Sequence, residues 1–298
     1  TIIKYVSILL AGRRKKAIVH ISGFYGNMVY FEMALIMISK LFRYKTVYEM
    51  RGGGAENFYN YGNKLYRNCF GTVIKKCDCV FSQGLENYKL INHISPGKDI
   101  FYYPNFVMPD FLPSTYPEKQ TSSINMLYFG RISETKNIDI ILKAMSILHD
   151  KYKNTTLSIV GDYVDENYYN SLTKYVTSNG LSSCVSFYPA CNHNKLKEYL
   201  KDKHFFLFPT TEHREGHSNA MTEAMAWGLI PIATSQGFSK SVVANNELIV
   251  NELTSSAFAN CVSKIIDSKM INKYSIGVYR RVLENYSSEI VQQKFKNK

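Results

Sequence analysis

Residues 124–161 are INMLYFGRISETKNIDIILKAMSILHDKYKNTTLSIVG. The stretch begins and ends with short apolar runs rich in strand-forming residues, and the segment between them carries apolar residues at helical spacing. Asn137 stands where that helix would begin and is predicted to be its N-cap. A strand, a helix and a second strand joined in this way form one unit of a parallel sheet with a helix on its face.

The same alternation continues along the chain as far as residue 235. The sequence predicts helices at 167–180 and 194–203, a short helix ending at Gly228, and strands at 184–189, 204–209 and 229–235. Short connections between alternating strands and helices are typical of the doubly wound α/β class. We therefore predict a Rossmann-like domain at residues 124–298, with helices at its C-terminal end.

The first hundred residues alternate less clearly. Strand-like runs fall at 17–23, 46–54, 77–83 and 99–105, and a helical pattern at 28–43. Residues 107–123 carry three prolines and no periodicity, so we predict an interdomain linker there. Residues 1–106 would then form a second Rossmann-like domain. We expect that domain to be incomplete, because the chain starts at Thr1 inside a helical pattern.

Polar clusters follow several predicted strands at their carboxyl ends, where open α/β sheets bind ligands. One cluster runs from Gly130 and Arg131 to Lys136, another begins at Gly161, and a third covers residues 210–217. Arg131 and Lys136 would place two cations near a helix N-terminus, which suits a phosphate group.

The third cluster leads into the short apolar helix before Gly228. Ser218 or Asn219 can cap this helix, and its first N–H groups would add to the phosphate site. Glu215 precedes the helix and Glu223 falls in its second turn, where ionised carboxylates accept hydrogen bonds from hydroxyl groups. Phosphate and hydroxyl recognition together fit a sugar nucleotide. The structural alternative for Glu223 is a buried carboxylate that caps a neighbouring backbone segment.

The pair Glu215-x7-Glu223, preceded by Gly130-Arg131-x4-Lys136, resembles the motifs of retaining glycosyltransferases of the GT-B fold, family 4. The resemblance implies that Arg131 and Lys136 hold the donor diphosphate, that Glu215 contacts the transferred sugar and that Glu223 contacts the ribose. Arg131, Lys136 and Glu215 are the predicted catalytic residues. The implied donor-binding set is completed by Gly130, Gly161, Gly216, His217, Ser218 and Asn219.

Two features depart from the family pattern. The N-terminal strand and glycine-rich loop of the family are not found in this sequence. The family's His-Gly near the reacting sugar is also missing, and residues 48–54 stand in the comparable place. Glu49 and Arg51 are therefore the candidates for the acceptor side. Asn105 is similar to the Asn of the family's interdomain Pro-Asn-Gly loop, with Phe106 in place of the Gly.

No metal or other cofactor is predicted. His213, Glu215 and His217 have H-x-E-x-H spacing in a loop, but the sequence contains neither H-E-x-x-H nor D-x-D. The six cysteines are scattered and are expected to be reduced thiols.

The charge is concentrated in the first part of the chain. Residues 1–106 carry nine of the twelve net positive charges, and Arg13–Lys16 is the densest basic run. The helical stretch 31–45 joins apolar and basic residues, as helices that lie on membrane surfaces do. The family resemblance implies a glycan or lipid-diphosphate-linked acceptor at the cytoplasmic face of the membrane. With the basic charge and this helix, we expect a cytoplasmic protein that contacts the anionic inner face of the membrane. A solvated basic face is the alternative, and no basic–aromatic repeat supports nucleic-acid binding.

These observations predict a retaining glycosyltransferase that uses a UDP- or GDP-sugar in bacterial surface polysaccharide synthesis. Two alternatives remain open at this point. One is a sugar-nucleotide epimerase or hydrolase of the same fold, and the other is a non-catalytic nucleotide-sugar-binding fragment.

Overall fold

The computed structural model describes residues 2–12 and 17–297. The basic run Arg13–Lys16 lies outside the described residues. The chain divides into two compact units, which are residues 2–104 with 213–217, and residues 105–212 with 218–297. The predicted linker 107–123 belongs to the second unit, where Val107 and Phe111 are buried and Val107 forms a β-bridge with Ser287.

The first unit is built on a four-stranded parallel sheet in the order β1-β2-β3-β4. Its elements in chain order are α1 (Ile2–Gly12), β1 (Ile18–Gly23), α2 (Val29–Leu41), β2 (Lys45–Met50), α3 (Ala55–Tyr61), α4 (Lys64–Lys76), β3 (Cys79–Ser82), α5 (Asn87–Ile94) and β4 (Ile100–Tyr102). The strands are short and β-branched or aromatic residues dominate them, which favours a covered parallel sheet. The alternation predicted for this half is confirmed.

Helix α2 is part of the core of the first unit rather than a purely surface helix. Val29 and Ile36 are fully buried on its inner side. Glu32 is also buried there, and its carboxylate accepts hydrogen bonds from the Tyr48 hydroxyl and the Phe24 N–H, each at 2.7 Å. Burial raises the pKa of Glu32. The outer side of the helix keeps Met37 and Leu41 exposed.

The second unit is built on a six-stranded parallel sheet in the order β10-β9-β8-β5-β6-β7. Its elements are β5 (Ile124–Phe129), α6 (Ile138–Lys151), β6 (Thr155–Val160), α7 (Glu166–Ser178), β7 (Val185–Tyr188), α8 (His193–Leu200), β8 (Phe205–Phe208), α9 (Asn219–Ala226), β9 (Ile230–Thr234), α10 (Ser239–Val243), β10 (Ile249–Val250), α11 (Ser255–Asp267), α12 (Ile271–Asn285) and α13 (Ser288–Lys296). The α/β class predicted from the sequence is confirmed in both units.

The strand order of the second sheet has one reversal point. Starting from β5, the chain first adds β6 and β7 on one side and then returns to add β8, β9 and β10 on the other. This is the doubly wound Rossmann order, in which the crevice for ligands opens where the order reverses. In this unit the reversal lies between β5 and β8, and the loops that follow these two strands define the place to look for a site.

None of the helices in the described part of the chain is long and apolar enough to cross a membrane. All six cysteines are free thiols, as predicted from their scattered positions.

Candidate functional site

The loops after β5 and β6 meet through two glycines. Phe129 pairs with Val160 in the sheet register, so Gly130 and Gly161 leave the sheet at the same level. A Cβ on Gly161 would lie 1.9 Å from the Gly130 carbonyl oxygen, which no side chain can tolerate. Beyond them the backbone N–H of Ile132 donates to the carbonyl of Asp162 at 2.9 Å. Glycine at these positions therefore allows the two loops to meet at the edge of the sheet.

Lys136 lies at the reversal point of the sheet. It ends a short 3₁₀ turn in the loop after β5, and its ammonium group donates to the Thr210 hydroxyl at 3.3 Å, just beyond β8. The same ammonium stands 5.4 Å from the centre of the Phe208 ring. The N–H of Thr211 donates to the carbonyl of Thr135 at 2.8 Å, which joins the two loops directly. The structure thus places a cation where this class of sheet binds phosphates.

Asn137 does not have the predicted capping role. It does precede α6, but its backbone is left-handed with φ of 48° and its side chain makes no cap hydrogen bond. Its amide instead donates to the carbonyl of Pro209 at 2.8 Å, across the reversal point. The Tyr168 hydroxyl accepts from the first N–H groups of α6, those of Ile138 at 2.9 Å and Asp139 at 3.4 Å. The start of α6 is therefore occupied by a tyrosine hydroxyl, and it does not supply the anion site expected from the sequence.

Helix α9 begins and ends as predicted. The Ser218 side chain accepts from the Met221 N–H at 3.3 Å and caps the helix. The helix stops before Gly228, which takes a left-handed backbone with φ of 73°. Asn219, the first helical residue, accepts at its side-chain oxygen from the Asn105 amide at 2.7 Å. The two asparagines fix the entrance to this helix within the second unit.

A cleft of about 550 Å³ opens beside these elements in the second unit. Its lining includes five of the predicted donor-binding residues, which are Gly130, Arg131, Gly161, Asn219 and Glu223. The loops after β5 and β6 form one wall and the first turns of α9 form another. The volume is within the usual range for pockets that hold small molecules. The structure therefore brings one predicted cation and one predicted carboxylate to a single cleft.

Glu223 is the most buried charged group of this cleft, with its side chain only 16% exposed. Burial raises the pKa of its carboxyl group, and the nearby His193 opposes that rise. His193 Nε2 lies 3.4 Å from Glu223 Oε1, but the imidazole itself is largely exposed. A carboxylate held in this way is poorly solvated and gains from any ligand hydroxyl that donates to it.

The segment 213–217 belongs to the first unit, where its glycine packs tightly. A Cβ on Gly216 would lie 2.7 Å from the Gly52 Cα and 2.5 Å from the Gln83 side-chain oxygen. His217 is buried, and its N–H donates to the same Gln83 oxygen at 3.5 Å. Glu215 is half-buried in this segment. The predicted donor residues thus fall into two groups, with Glu215, Gly216 and His217 in the first unit.

Glu49 and Arg51, the predicted acceptor-side pair, are bound to each other. Glu49 is buried at the end of β2, and one carboxylate oxygen accepts from Arg51 Nε at 2.7 Å. The other oxygen lies 2.9 Å from His20 Nε2 and 3.2 Å from the Ser22 hydroxyl. Burial raises the pKa of Glu49, but the hydrogen bonds of His20 and Arg51 and their charges outweigh it and hold the pKa at about 2. Such a carboxylate is a fixed anchor for Arg51 and not a base.

Sequence reasoning missed one residue of the cleft in the second unit. His193 is the first residue of α8, which follows β7, and it contacts Glu223. Asp162 belongs to the polar cluster that begins at Gly161, and its side chain accepts from the Ala190 N–H at 3.0 Å. The strand-end rule that selected Arg131 would have selected His193 as well, had it been applied to β7.

Among residues 2–12 and 17–297 there is no cluster of three or more His, Cys, Asp or Glu side chains that could hold a metal ion. The H-x-E-x-H spacing of His213, Glu215 and His217 therefore does not bring three ligands together.

Two parallel-sheet units with clefts at the carboxyl ends of their strands are the GT-B architecture. Anabaena HepE, solved in complex with UDP, has the same fold, with a TM-score of 0.77 and 12% identity over 98% of this chain and 80% of that chain. Sucrose-phosphate synthase from Thermosynechococcus elongatus is also similar, with a TM-score of 0.69 and 15% identity over 97% of this chain and 76% of its own.

The chain belongs to the glycosyl transferases group 1 family, whose model matches residues 116–280. It is also similar to the capsular polysaccharide biosynthesis glycosyltransferase CapM of Staphylococcus aureus, with 29% identity over 182 residues. That match covers 57% of this chain and 44% of the relative, so the chain spans less than half the length of this curated relative.

Proposed function

We propose that the protein is a retaining, metal-independent glycosyltransferase of family 4 that uses a UDP- or GDP-sugar in bacterial surface polysaccharide synthesis. The observation that carries the proposal is the cleft of the second unit, which joins Arg131, the start of α9 and the half-buried Glu223 in a member of the glycosyl transferases group 1 family. The UDP bound to HepE and the polysaccharide role of CapM support the donor and the pathway.

The proposed step breaks the bond between the anomeric carbon and the diphosphate oxygen of the donor. The bonding electrons leave with the diphosphate, and Arg131, Lys136 and the N-terminus of α9 stabilise the charge that develops there. The acceptor hydroxyl attacks the anomeric carbon from the same face, and its proton passes to the departing diphosphate. Glu223 binds the ribose and Glu215 orients the transferred sugar. No carboxylate nucleophile is needed.

The reaction is tested by following a panel of UDP-, GDP- and ADP-sugars by NMR, with and without a glycan or lipid-linked acceptor. We expect transfer only when acceptor is present, unchanged rates in EDTA, and a product linkage with the anomeric configuration of the donor. Free sugar released without acceptor would identify a hydrolase, and an epimerised donor would identify an epimerase. An inverted linkage would disprove retention.

We also propose that the first unit contacts an anionic membrane surface, where a lipid-linked acceptor would be found. Ile3 and Leu10 of α1 and Leu41 of α2 are exposed apolar side chains. The two helices are neighbours, since the Tyr5 and Ser39 hydroxyls lie 2.5 Å apart. Lys40 and Lys45 lie close to Leu41 in the chain, and both form ion pairs with Asp78. Neighbouring apolar and basic side chains are typical of proteins that bind the membrane interface.

Co-flotation with vesicles tests this contact. We expect binding to vesicles that contain anionic lipid at low salt and weaker binding to zwitterionic vesicles. Leu41→Gln should reduce binding about tenfold, because it removes one buried apolar side chain from the interface. Leu65→Gln is the matched control, because Leu65 is also an exposed leucine, at 62%, but lies near the other end of α2. Its neighbour Tyr66 packs on Tyr30 in the first turn of α2, whereas Leu41 is the last residue of that helix. Equal flotation of the wild type and both variants would contradict the proposal.

A further inference from the structure

A second pocket of the second unit, of about 560 Å³, lies at the edge where the strands of its sheet begin. Ile124 and Thr155, the first residues of β5 and β6, are partners in the sheet register, so the loops before these strands meet at this edge. The turn between α11 and α12 forms the remaining wall. Both strands are six residues long, so about 20 Å separates this pocket from the cleft at their carboxyl ends.

Hydrogen bonds tie the walls of the pocket to one another. The Ile124 N–H donates to the Asn154 carbonyl at 2.8 Å, which joins the loop before β5 to the loop before β6. The Asp267 carboxylate at the end of α11 accepts from the Lys151 ammonium at 2.7 Å and from the Tyr152 hydroxyl at 2.5 Å. The loop before β6 is thus bound on both sides, and the pocket is formed before any ligand arrives.

Two lysines give this pocket its charge. Lys153 and Lys269 both line it and are exposed, and its lining contains no carboxylate. In the part of the chain that the structure describes, neither ammonium group has an ion-pair or hydrogen-bond partner. The neighbouring Lys151 differs from them, because its charge is paired with Asp267. The pocket therefore gathers positive charge that the protein does not neutralise.

Neutral hydrogen-bond donors accompany the two lysines. The lining includes three hydroxyl groups and two amide groups, those of Thr121, Ser122, Ser123, Asn154 and Asn272. Hydroxyl and amide N–H groups donate to the oxygen atoms of an anion. Tyr152 and Ile266, both half-buried, add apolar surface beside these polar groups. The lining therefore suits an anion that carries an organic group.

The charge of the pocket matches a phosphate monoester. Such a group carries a charge of about −1.5 to −2 at pH 7, and two ammonium groups balance it. Lysine binds phosphate as a point charge, whereas a cation would be repelled by both lysines. An uncharged ligand would leave the two ammonium charges unbalanced. The volume of the pocket is within the range of sites that hold small molecules.

We propose that this pocket is a binding site for a small phosphate monoester. The phosphate group lies against the ammonium groups of Lys153 and Lys269 and accepts hydrogen bonds from the hydroxyl groups of residues 121–123. The organic group packs on Tyr152 and Ile266. This inference goes beyond the proposed transferase reaction, because the site shares no residue with the cleft that contains Glu223.

Ligand-detected NMR with glucose 6-phosphate as the probe tests the proposal. We expect its phosphorus signal to broaden on addition of the protein, whereas the proton signals of glucose and succinate should broaden much less. Lys153→Ala and Lys269→Ala should each weaken binding about fivefold, the upper range for one exposed ion pair. Lys153→Arg keeps the charge and should retain binding. The matched control is Lys174→Ala, because Lys174 is exposed on α7 of the same unit and does not line the pocket.

A variant with both Arg131→Ala and Lys136→Ala separates this pocket from the cleft at the other edge of the sheet. We expect it to bind glucose 6-phosphate as the wild type does, and thermal unfolding shows that each variant is folded. Loss of binding in this variant would assign the probe to the cleft and overturn the proposal.

Three further results would also overturn it. The first is an unbroadened phosphorus signal with the wild type, and the second is equal affinity in the wild type, Lys153→Ala and Lys269→Ala. The third is broadening of glucose or succinate as strong as that of glucose 6-phosphate, which would show a site for an uncharged sugar or for anions in general.

Discussion

Lys136→Ala is expected to lower kcat by about 10²–10³, the cost of removing one preorganised charge donor from a developing anion. The physical reason is the position of the ammonium group at the reversal point between β5 and β8. It is held there by the Thr210 hydroxyl at 3.3 Å and by the Phe208 ring at 5.4 Å. Because the charge on the diphosphate grows as the glycosidic bond breaks, the loss should fall mainly on kcat and less on KM for the donor.

The measurement is steady-state transfer together with thermal unfolding of each variant. Lys136→Arg keeps the charge and should recover part of the rate. Lys143→Ala is the matched control, because Lys143 belongs to the helix that follows and pairs with Asp139 at 2.9 Å on the surface. Loss of an exposed pair of this kind changes little. A fall of less than tenfold in folded Lys136→Ala would contradict the assignment of this residue.

The architecture of the second unit could be predicted because its strands are fully covered. Strand β8 contains only Phe205, Phe206, Leu207 and Phe208, all buried, and a continuous apolar run of that length between polar turns indicates a central parallel strand. Helix α3 of the first unit is a different case. Its inner side consists of Ala55, Phe58 and Tyr59, which pack on the core, but seven residues give an apolar pattern too short to predict a helix from the sequence. The helix is stabilised by tertiary contacts, since it lies between the glycine turn and α4. Such contacts cannot be predicted from its local sequence.

The site was predictable where it follows the ends of strands. Gly130, Arg131 and Gly161 were selected by that rule, and the structure gathers them around one cleft. The placement of residues 213–217 in the first unit was not predictable, although Glu215 and Glu223 are only eight residues apart. It depends on the close approach of Gly216 to Gly52, two glycines distant in sequence. The role of Tyr168 was also not predictable, because its hydroxyl accepts from the Ile138 N–H at the start of α6, 30 residues away in the chain.

Glu223→Gln is expected to raise the melting temperature at pH 7.5 and to lower kcat/KM at least about tenfold, the range for one hydrogen bond to a charged group. Glutamine keeps the shape of the side chain and removes its charge. Burial raises the pKa of Glu223 in the folded protein, so the ionised form is disfavoured there relative to the unfolded chain. Glu223→Gln should therefore stabilise the free protein while it weakens ribose binding. Such a trade of stability against activity is common at functional sites.

The pH dependence identifies the cause of the stability change. Below the unfolded pKa of this carboxyl, 4.5, Glu223 is protonated in both states and contributes no penalty. As the pH rises from there through the raised folded pKa, the unfolded chain ionises first and the wild type loses stability relative to Glu223→Gln. The difference in melting temperature should therefore be greatest at neutral pH and shrink as the pH approaches 4.5. Calorimetric scans from pH 4.5 to 8 measure it directly.

Glu198→Gln is the matched control for this experiment. Glu198 lies on α8, is 66% exposed and pairs with Lys195 at 2.6 Å, so its substitution should leave both the melting temperature and kcat/KM nearly unchanged. The structural alternative for Glu223 makes the opposite prediction. A carboxylate that caps a neighbouring backbone segment stabilises the fold when ionised, and Glu223→Gln would then lower the melting temperature at pH 7.5. A lower melting temperature with unchanged kcat/KM would identify Glu223 as a structural residue and remove the ribose contact from the proposed site.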